Sequence, residues 1–261
     1  MKVTRLSAPL GAVVSGLDIK TIDNRVWQEL TEIFNEYHVL VFPQQTLTPA
    51  DHMVFAERWG KLIKFPYGGL KNYPNIIELK NRGKSGDVNQ HWHSDMTYNQ
   101  SPPMFTMLYA HAAPEFGGDT AFSNQHLAYE GLSEGIKQNF KDVTALHSAA
   151  GLARLYGKNV EEAASATHPV FRRHDETGRL ALYVCSAFTE RFTDWSKEES
   201  KPLLEYLYKH ATSMEYQARH KWQAGDLVMW DNRSVLHYAV HDHGDDERII
   251  HRLQVEGKST L

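Results

Sequence analysis

Residues 225–240 read Gly-Asp-Leu-Val-Met-Trp-Asp-Asn-Arg-Ser-Val-Leu-His-Tyr-Ala-Val, and the fold turns on this stretch. The apolar run 227–230 has strand length, Asp231-Asn232 supplies turn residues, and 235–240 begins a second strand. A strand, an Asp-Asn turn and a second strand thus follow one another with no helical crossover between them. Side chains two apart in a strand share a face, so His237 lies on the face of Val235 and Ala239, small neighbours that leave room for a ligand.

Outward from this pair, strand-like segments recur at 76–80, 104–110, 180–185, 214–222 and 248–255. Asn24 is placed as the cap of a helix reaching Tyr37, because Val26, Leu30, Ile33 and Phe34 recur at helical spacing, and residues 38–43, HVLVFP, follow as a short buried strand. Thr48-Pro49-Ala50-Asp51 opens a second helix running to about residue 59, with Pro in its first turn. Further helices are expected near 124–132 and 197–210. Many short strands without a βαβ rhythm argue against a doubly wound sheet and for an antiparallel sandwich or barrel with helices packed outside. No repeat or low-complexity linker divides residues 1–261, which read as one domain.

The chain has 261 residues, of which 41% are hydrophobic, enough to fill a core, and its formal charge is −4. No dense Lys/Arg block marks a nucleic-acid surface, and no apolar run approaches the roughly 20 residues that span a bilayer. The N-terminal MKVTRLSAPLG lacks the apolar stretch of a secretory signal, so a cytoplasmic location is expected. Neither nucleic acid nor membrane is expected as a partner; a small molecule and further copies of the chain, in a homo-oligomer, are. Cys185 is the single cysteine. Any protein-bound metal must therefore use His and carboxylates.

Residues 90–96, QHWHSDM, carry candidates for that role. If the segment is extended, His91, His93 and Asp95 point the same way. A cupin site would want Glu a few residues on, where Thr97 and Tyr98 stand. A binuclear hydrolase pattern, HxHxDH, would need His in place of Met96; a zinc metallo-hydrolase using His91, His93 and Asp95 would lack that ligand. A third reading takes His93-Ser94-Asp95 as HxD and adds a distant His, the two-His, one-carboxylate set of non-haem Fe(II) oxygenases. His237 is available for it. Beyond the polar loop 241–247, Arg248, Ile250 and Arg252 share one strand face, and buried guanidinium groups call for anions such as carboxylates or sulfonates. A catalytically silent jelly-roll protein that binds a metal or a small acid is the remaining alternative.

The residues WHSDMTY at 92–98, Gly117-Gly118-Asp119-Thr120, Thr167-His168-Pro169-Val170, and WDNRSVLHYAV at 230–240 followed by Arg248 and Arg252 together resemble the taurine dioxygenase-like (TauD/TfdA) family of Fe(II)/2-oxoglutarate-dependent oxygenases. The resemblance runs from the N-terminal strands to the last one. It implies a mainly β fold with peripheral helices, a double-stranded β-helix or jelly roll. It also implies that His93, Asp95 and His237 hold Fe(II), with 2-oxoglutarate and O2 as co-substrates. Thr120 and Arg248 would then hold the distal carboxylate of 2-oxoglutarate. Arg252 would lie near the acid group of a small anionic substrate, a sulfonate, alkyl sulfate or aryloxy or carboxylic acid, with Tyr67 and Asn89 lining the same pocket. Hydroxylation in this family often leads to C–S or C–O cleavage. Lys64 stands where the taurine-specific members carry His, and as a point charge it suits a sulfonate, sulfate or carboxylate without an imidazole's shape. Phe188 and Trp230 match aromatic positions near the family's active site and are assigned here to the core. His91 is expected beside the site or in solvent, His168 in a turn before Pro169, and His241 and His243 in a solvated acidic loop.

Overall fold

The structure is a computed structural model that describes residues 1–65, 68–80 and 90–260. Its largest element is an eight-stranded sheet. In spatial order it runs β1 (Lys2–Arg5), β2 (Ala12–Ser15), β3 (Val39–Phe42), β14 (Leu227–Asp231), β6 (Phe105–Ala112), β16 (Ile249–Val255), β5 (Tyr73–Lys80) and β4 (Gly69–Leu70). A three-stranded sheet of β13 (Gln217–His220), β7 (Thr120–Asn124) and β15 (Val235–Ala239) faces it. Every described pairing is antiparallel except β2 with β3.

The two sheets meet because the strands alternate. Val39, Val41, Leu108, Ala110, Val228, Trp230 and Ile250 project from the large sheet onto Phe122, Ala218 and Val235 of the small one. Their neighbours Leu40, Phe42, Met107, Leu227, Met229 and Leu253 turn to the opposite face, where Leu30 and Phe34 of α1 (Asn24–Tyr37) and Phe55 and Ala56 of α2 (Pro49–Glu57) cover them. With both faces covered, all of β3 is buried, which is why it reads as an unbroken apolar run. Each such side chain contributes about 1.5–3 kcal/mol by leaving water.

A third cluster lies beside the sandwich. There the sheet β12 (Thr189–Phe192), β8 (Thr144–Ser148), β9 (Ser165–Pro169) and the hairpin β10 (Phe171–Arg173), β11 (Leu180–Leu182) pack with α3 (Gln125–Glu130), α4 (Glu134–Phe140) and α6 (Lys197–Ala211); α5 (Ala150–Leu155) follows β8.

Several expectations shift at their edges. The cap of α1 is Asp23, whose carboxylate accepts from Val26 N at 2.8 Å, and Asn24 is the first helical residue. Thr48 and Asp51 form a reciprocal capping box on α2, as Thr-Pro-Ala-Asp suggests. Met214–Tyr216 is a 3-10 turn, so β13 starts at Gln217, and β11 stops at Leu182. His168 lies inside β9 rather than in a turn.

Beneath the β14–β15 turn, His38, His126 and His174 cluster without solvent: His38 and His126 lie 4.8 Å apart between ring centroids, and His126 and His174 5.6 Å. His174 Nε2 binds Asp231 at 2.9 Å. Burial first, then the neighbouring imidazole of His126, pushes His38 down to about 3. Burial likewise pushes His126 down to about 4, against a raising hydrogen bond to Leu180. Both are neutral when folded but accept protons below about pH 6.5 once unfolded, so the stability they permit is complete above pH 6.5 and is lost as pH falls toward 4. At pH 5 each forfeits about 2 kcal/mol relative to neutral pH. Urea unfolding at pH 7 and pH 5 tests this; equal midpoints would contradict it.

Candidate metal centre

His93 and His237 are 144 residues apart in the chain yet form an isolated antiparallel bridge. His93 N donates to His237 O at 3.1 Å and His237 N donates to His93 O at 2.8 Å. Residues exchanging both bonds point their side chains to the same side, and the two ring centroids stand 4.1 Å apart. The chain then turns sharply at Met96, in the left-handed region at φ 48°, so residues 90–96 are not a continuous strand. Asp95 is delivered to the same point: Nε2 of His93 and Nε2 of His237 each lie 3.6 Å from its Oδ1. All three side chains are buried and their potential ligand atoms lie within 4.8 Å of one another; among the described residues this is the one group of its kind.

Hydrogen bonding sets the orientation of these groups. His93 Nδ1 faces the carbonyl of His91 at 2.8 Å, and since a carbonyl only accepts, Nδ1 donates to it and Nε2 is the nitrogen turned toward Asp95. Burial first, then His93, holds His237 well below the ordinary imidazole value, which keeps it neutral and able to donate electrons. Burial works to raise Asp95, but Arg252, His237 and His93 outweigh it and hold the carboxyl well below the usual range, so it is an anion. The far oxygen, Oδ2, accepts from Thr106 Oγ1 at 2.6 Å and Gln254 Nε2 at 2.9 Å. Two imidazoles and one carboxylate, with no thiolate, form a set that suits Fe(II).

The surroundings divide the other expected site residues. Arg252 reaches Asp95 Oδ1 with Nη2 at 3.0 Å, so it stands at the centre itself. Thr120 is buried in β7; its Oγ1 accepts from Trp222 Nε1 at 3.0 Å, which leaves the hydroxyl proton to be donated elsewhere. Arg248 lies over the same Trp222 ring at 5.8 Å and is pushed down to about 10 by burial, still a cation at neutral pH. Thr120 and Arg248 are thus brought together through Trp222. Lys64 is exposed in the segment after α2 and has no described contact with the three clustered side chains. Tyr67 and Asn89 lie outside the described residues.

The side chain of His91 is exposed, so the three-ligand set that a hydrolase built on His91, His93 and Asp95 would require does not form; the backbone carbonyl of His91 serves His93 instead. The acidic loop is less solvated than expected. His243 is buried, and Asp242 Oδ1 accepts from Gly118 N at 2.8 Å. Gly117 at φ 73° lies so close to that loop that a Cβ would meet Asp242 Oδ1 at 2.5 Å, while a Cβ on Gly118 would stand 3.3 Å from Arg248 Cδ. The glycine pair therefore lets the loop settle where Arg248 reaches Trp222. Two aromatic rings assigned to the core also face the centre: Trp230 lies 4.6 Å from His237 and Phe188 6.0 Å from His93 between centroids.

Comparison with known proteins agrees with this geometry. An alkylsulfatase of Acinetobacter baylyi is 32% identical over 275 aligned positions, covering 100% of this chain and 86% of the relative. An (S)-phenoxypropionate/alpha-ketoglutarate-dioxygenase of Sphingobium herbicidovorans is 29% identical, covering 98% and 94%. The crystal structure of a taurine dioxygenase from Burkholderia xenovorans superposes with a TM-score of 0.88 at 29% identity, covering 98% of this chain and 91% of the other, and confirms the jelly-roll architecture expected from the strand pattern. The model of the family described as taurine catabolism dioxygenase TauD, TfdA, matches residues 2–254, and the chain belongs to that family.

Proposed function

We propose that this enzyme, an Fe(II)- and 2-oxoglutarate-dependent dioxygenase by family, hydroxylates a small organic anion: a sulfonate, an alkyl sulfate, or an aryloxy or carboxylic acid. The observation that carries the reading is the buried cluster of His93, Asp95 and His237. In this reading the three side chains hold Fe(II), which together with 2-oxoglutarate and O2 supplies an oxidant able to hydroxylate a C–H bond. Thr120 offers a hydroxyl proton and Arg248 a guanidinium fork to the distal carboxylate of 2-oxoglutarate. Such pairing is the usual means by which proteins hold a carboxylate bidentately. Trp222 backs both groups.

Arg252 is the substrate's anchor. Its side chain keeps some contact with solvent, 19% exposed, while one nitrogen touches Asp95, so its remaining N–H groups can meet an incoming anion beside the iron ligands. Trp230 and Phe188 close the apolar side against His237 and His93. Hydroxylation at a carbon bearing sulfonate, sulfate or ether oxygen gives a product that collapses to a carbonyl with release of sulfite, sulfate or an alcohol. The range of relatives, from an alkylsulfatase to a phenoxypropionate dioxygenase, supports an anion class rather than one compound. Tyr67, Asn89 and Lys64 stay with the substrate side of the site in this proposal, alongside cytoplasmic location and homo-oligomeric assembly.

Anaerobically prepared protein given Fe(II), 2-oxoglutarate and then O2 with a panel of sulfonates, alkyl sulfates and aryloxy acids should form succinate only with an anionic member. The corresponding neutral esters or amides should fail. Arg252→Ala should weaken use of the anion by about 30-fold or more while altering the 2-oxoglutarate requirement less, as expected for loss of one partner of a desolvated charge pair. Efficient oxidation of a neutral substrate, unaffected by Arg252→Ala, would refute the substrate class.

A further inference from the structure

Asp95 offers two oxygens, and the protein treats them differently. Oδ1 faces the two imidazole nitrogens and the partly exposed Arg252 Nη2, while Oδ2 is engaged by the buried Thr106 and Gln254. The arrangement follows from sheet register. Thr106 on β6 stands directly opposite Trp230 of β14 on one side and Gln254 of β16 on the other, so three inward-facing side chains lie at one level under the carboxylate.

Every proton in this group has an assigned direction. Trp230 Nε1 can only donate, and it donates to Asn232 Oδ1 at 2.9 Å, which turns Asn232 Nδ2 toward Thr106 Oγ1 at 2.8 Å. Gln254 Nε2 gives one hydrogen to Thr106 Oγ1 at 3.1 Å and the other to Asp95 Oδ2. With both acceptor positions of its hydroxyl filled, Thr106 has its own proton left to give, and it gives it to Oδ2 at 2.6 Å. Trp230, Asn232, Thr106 and Gln254 are each no more than 1% exposed, so water does not compete. A carboxylate oxygen held by two donors in a dry environment is poorly available as a metal ligand.

We propose that Thr106 and Gln254 are positioning residues that confine Asp95 to ligation through Oδ1 alone, so that the second oxygen does not take up a place on the metal that 2-oxoglutarate or O2 requires. This rests on the reading of Asp95 as an iron ligand. Neither residue touches the metal or a substrate; they act through the carboxylate. Partners of this outer kind are worth about 10–100-fold in metal affinity or activity.

The test uses Co(II) as the probe in anaerobic titration of the full chain, read by visible absorption, which reports the ligand field as well as the affinity. Thr106→Val removes the hydroxyl at nearly constant shape, and Thr106→Ser restores it. Thr106→Val frees Oδ2 and should alter the Co(II) band shape and shift the affinity by about tenfold, and Thr106→Ser should return both to the parent values within about twofold. Gln254→Leu should change the band shape in the same sense and carries the test alone if Thr106→Val fails to fold. Parent affinity and an unchanged spectrum in the folded variants would overturn the proposal, as would a loss that Thr106→Ser does not restore. Parent protein whose Co(II) binding is absent, or unaffected by Asp95→Asn, would instead overturn the iron-site reading on which it depends.

Discussion

His237→Ala should give a folded protein that makes no measurable succinate with Fe(II), 2-oxoglutarate and any substrate of the parent, a loss of at least about 1,000-fold. The bound rests on the 10–100-fold that partners merely touching a ligand are worth, since removing one of three protein donors takes away more than that. His237 is suited to report this because its main chain, and not its ring, makes the bridge to His93; the 2.8 and 3.1 Å hydrogen bonds remain after truncation. Circular dichroism and thermal melting should therefore stay near parent values while metal binding fails. His93→Ala and Asp95→Ala should match it in activity. The control is His91→Ala: the exposed ring contributes nothing, and the carbonyl that orients His93 is main chain, so most activity should survive. Retained metal in His237→Ala together with loss in His91→Ala would restore the zinc-hydrolase alternative.

The parts of this centre legible in the sequence are those whose signal is local. β14 and β15 could be read as two strands because their apolar runs are short and turn residues lie between them. That the turn carries the chain from one sheet to the other, where β14 pairs with β3 and β6 and β15 with β7, could not be read. HxD at 93–95 is local as well, but its partner His237 comes only with the resemblance to a family, since spacing alone does not say which of 15 histidines closes a cluster. Phe188 and Trp230 read as core because an aromatic ring on an apolar strand looks the same whether the next ring is Phe or an imidazole. Thr106 and Gln254 did leave a trace. Each is a polar residue on the inward parity of an apolar strand, Thr106 with Leu108 and Ala110, Gln254 with Ile250 and Arg252. A buried polar group on that face calls for a partner, and the partner was Asp95.

The sheet around β8 was least legible. Its residues Thr144–Ser148 alternate weakly, and its partners β9 and β12 lie well beyond a hairpin's reach in sequence. His168 looked like a turn residue because Pro169 follows. In the fold, β9 is the edge of the order β12-β8-β9, and Pro at the end of an edge strand disrupts no ladder. There His168 Nε2 donates to Thr97 O at 2.6 Å, steadying the chain just past Asp95.

Arg248→Ala should raise the 2-oxoglutarate requirement by about 30-fold to several thousand-fold while leaving metal binding intact. Truncating one partner of a desolvated charge pair typically costs about 2–5 kcal/mol, and each 1.4 kcal/mol is tenfold. Metal binding should survive because the described neighbours of Arg248 are Trp222 and the glycine turn. Arg248→Lys should fall between, since Lys keeps the charge but loses the fork that matches a carboxylate. Thr120→Ala should act in the same direction and less strongly, because it removes a neutral donor and also leaves Trp222 Nε1 without its acceptor. The pair is diagnostic because Arg252 touches Asp95 while Arg248 lies over Trp222, and the proposed function gives the two guanidinium groups different anions. Titrating 2-oxoglutarate at saturating substrate, and substrate at saturating 2-oxoglutarate, in both variants separates the roles. An Arg248→Ala protein with the parent's 2-oxoglutarate requirement would move the co-substrate's far carboxylate to another partner, and Arg252 would then be the first to examine.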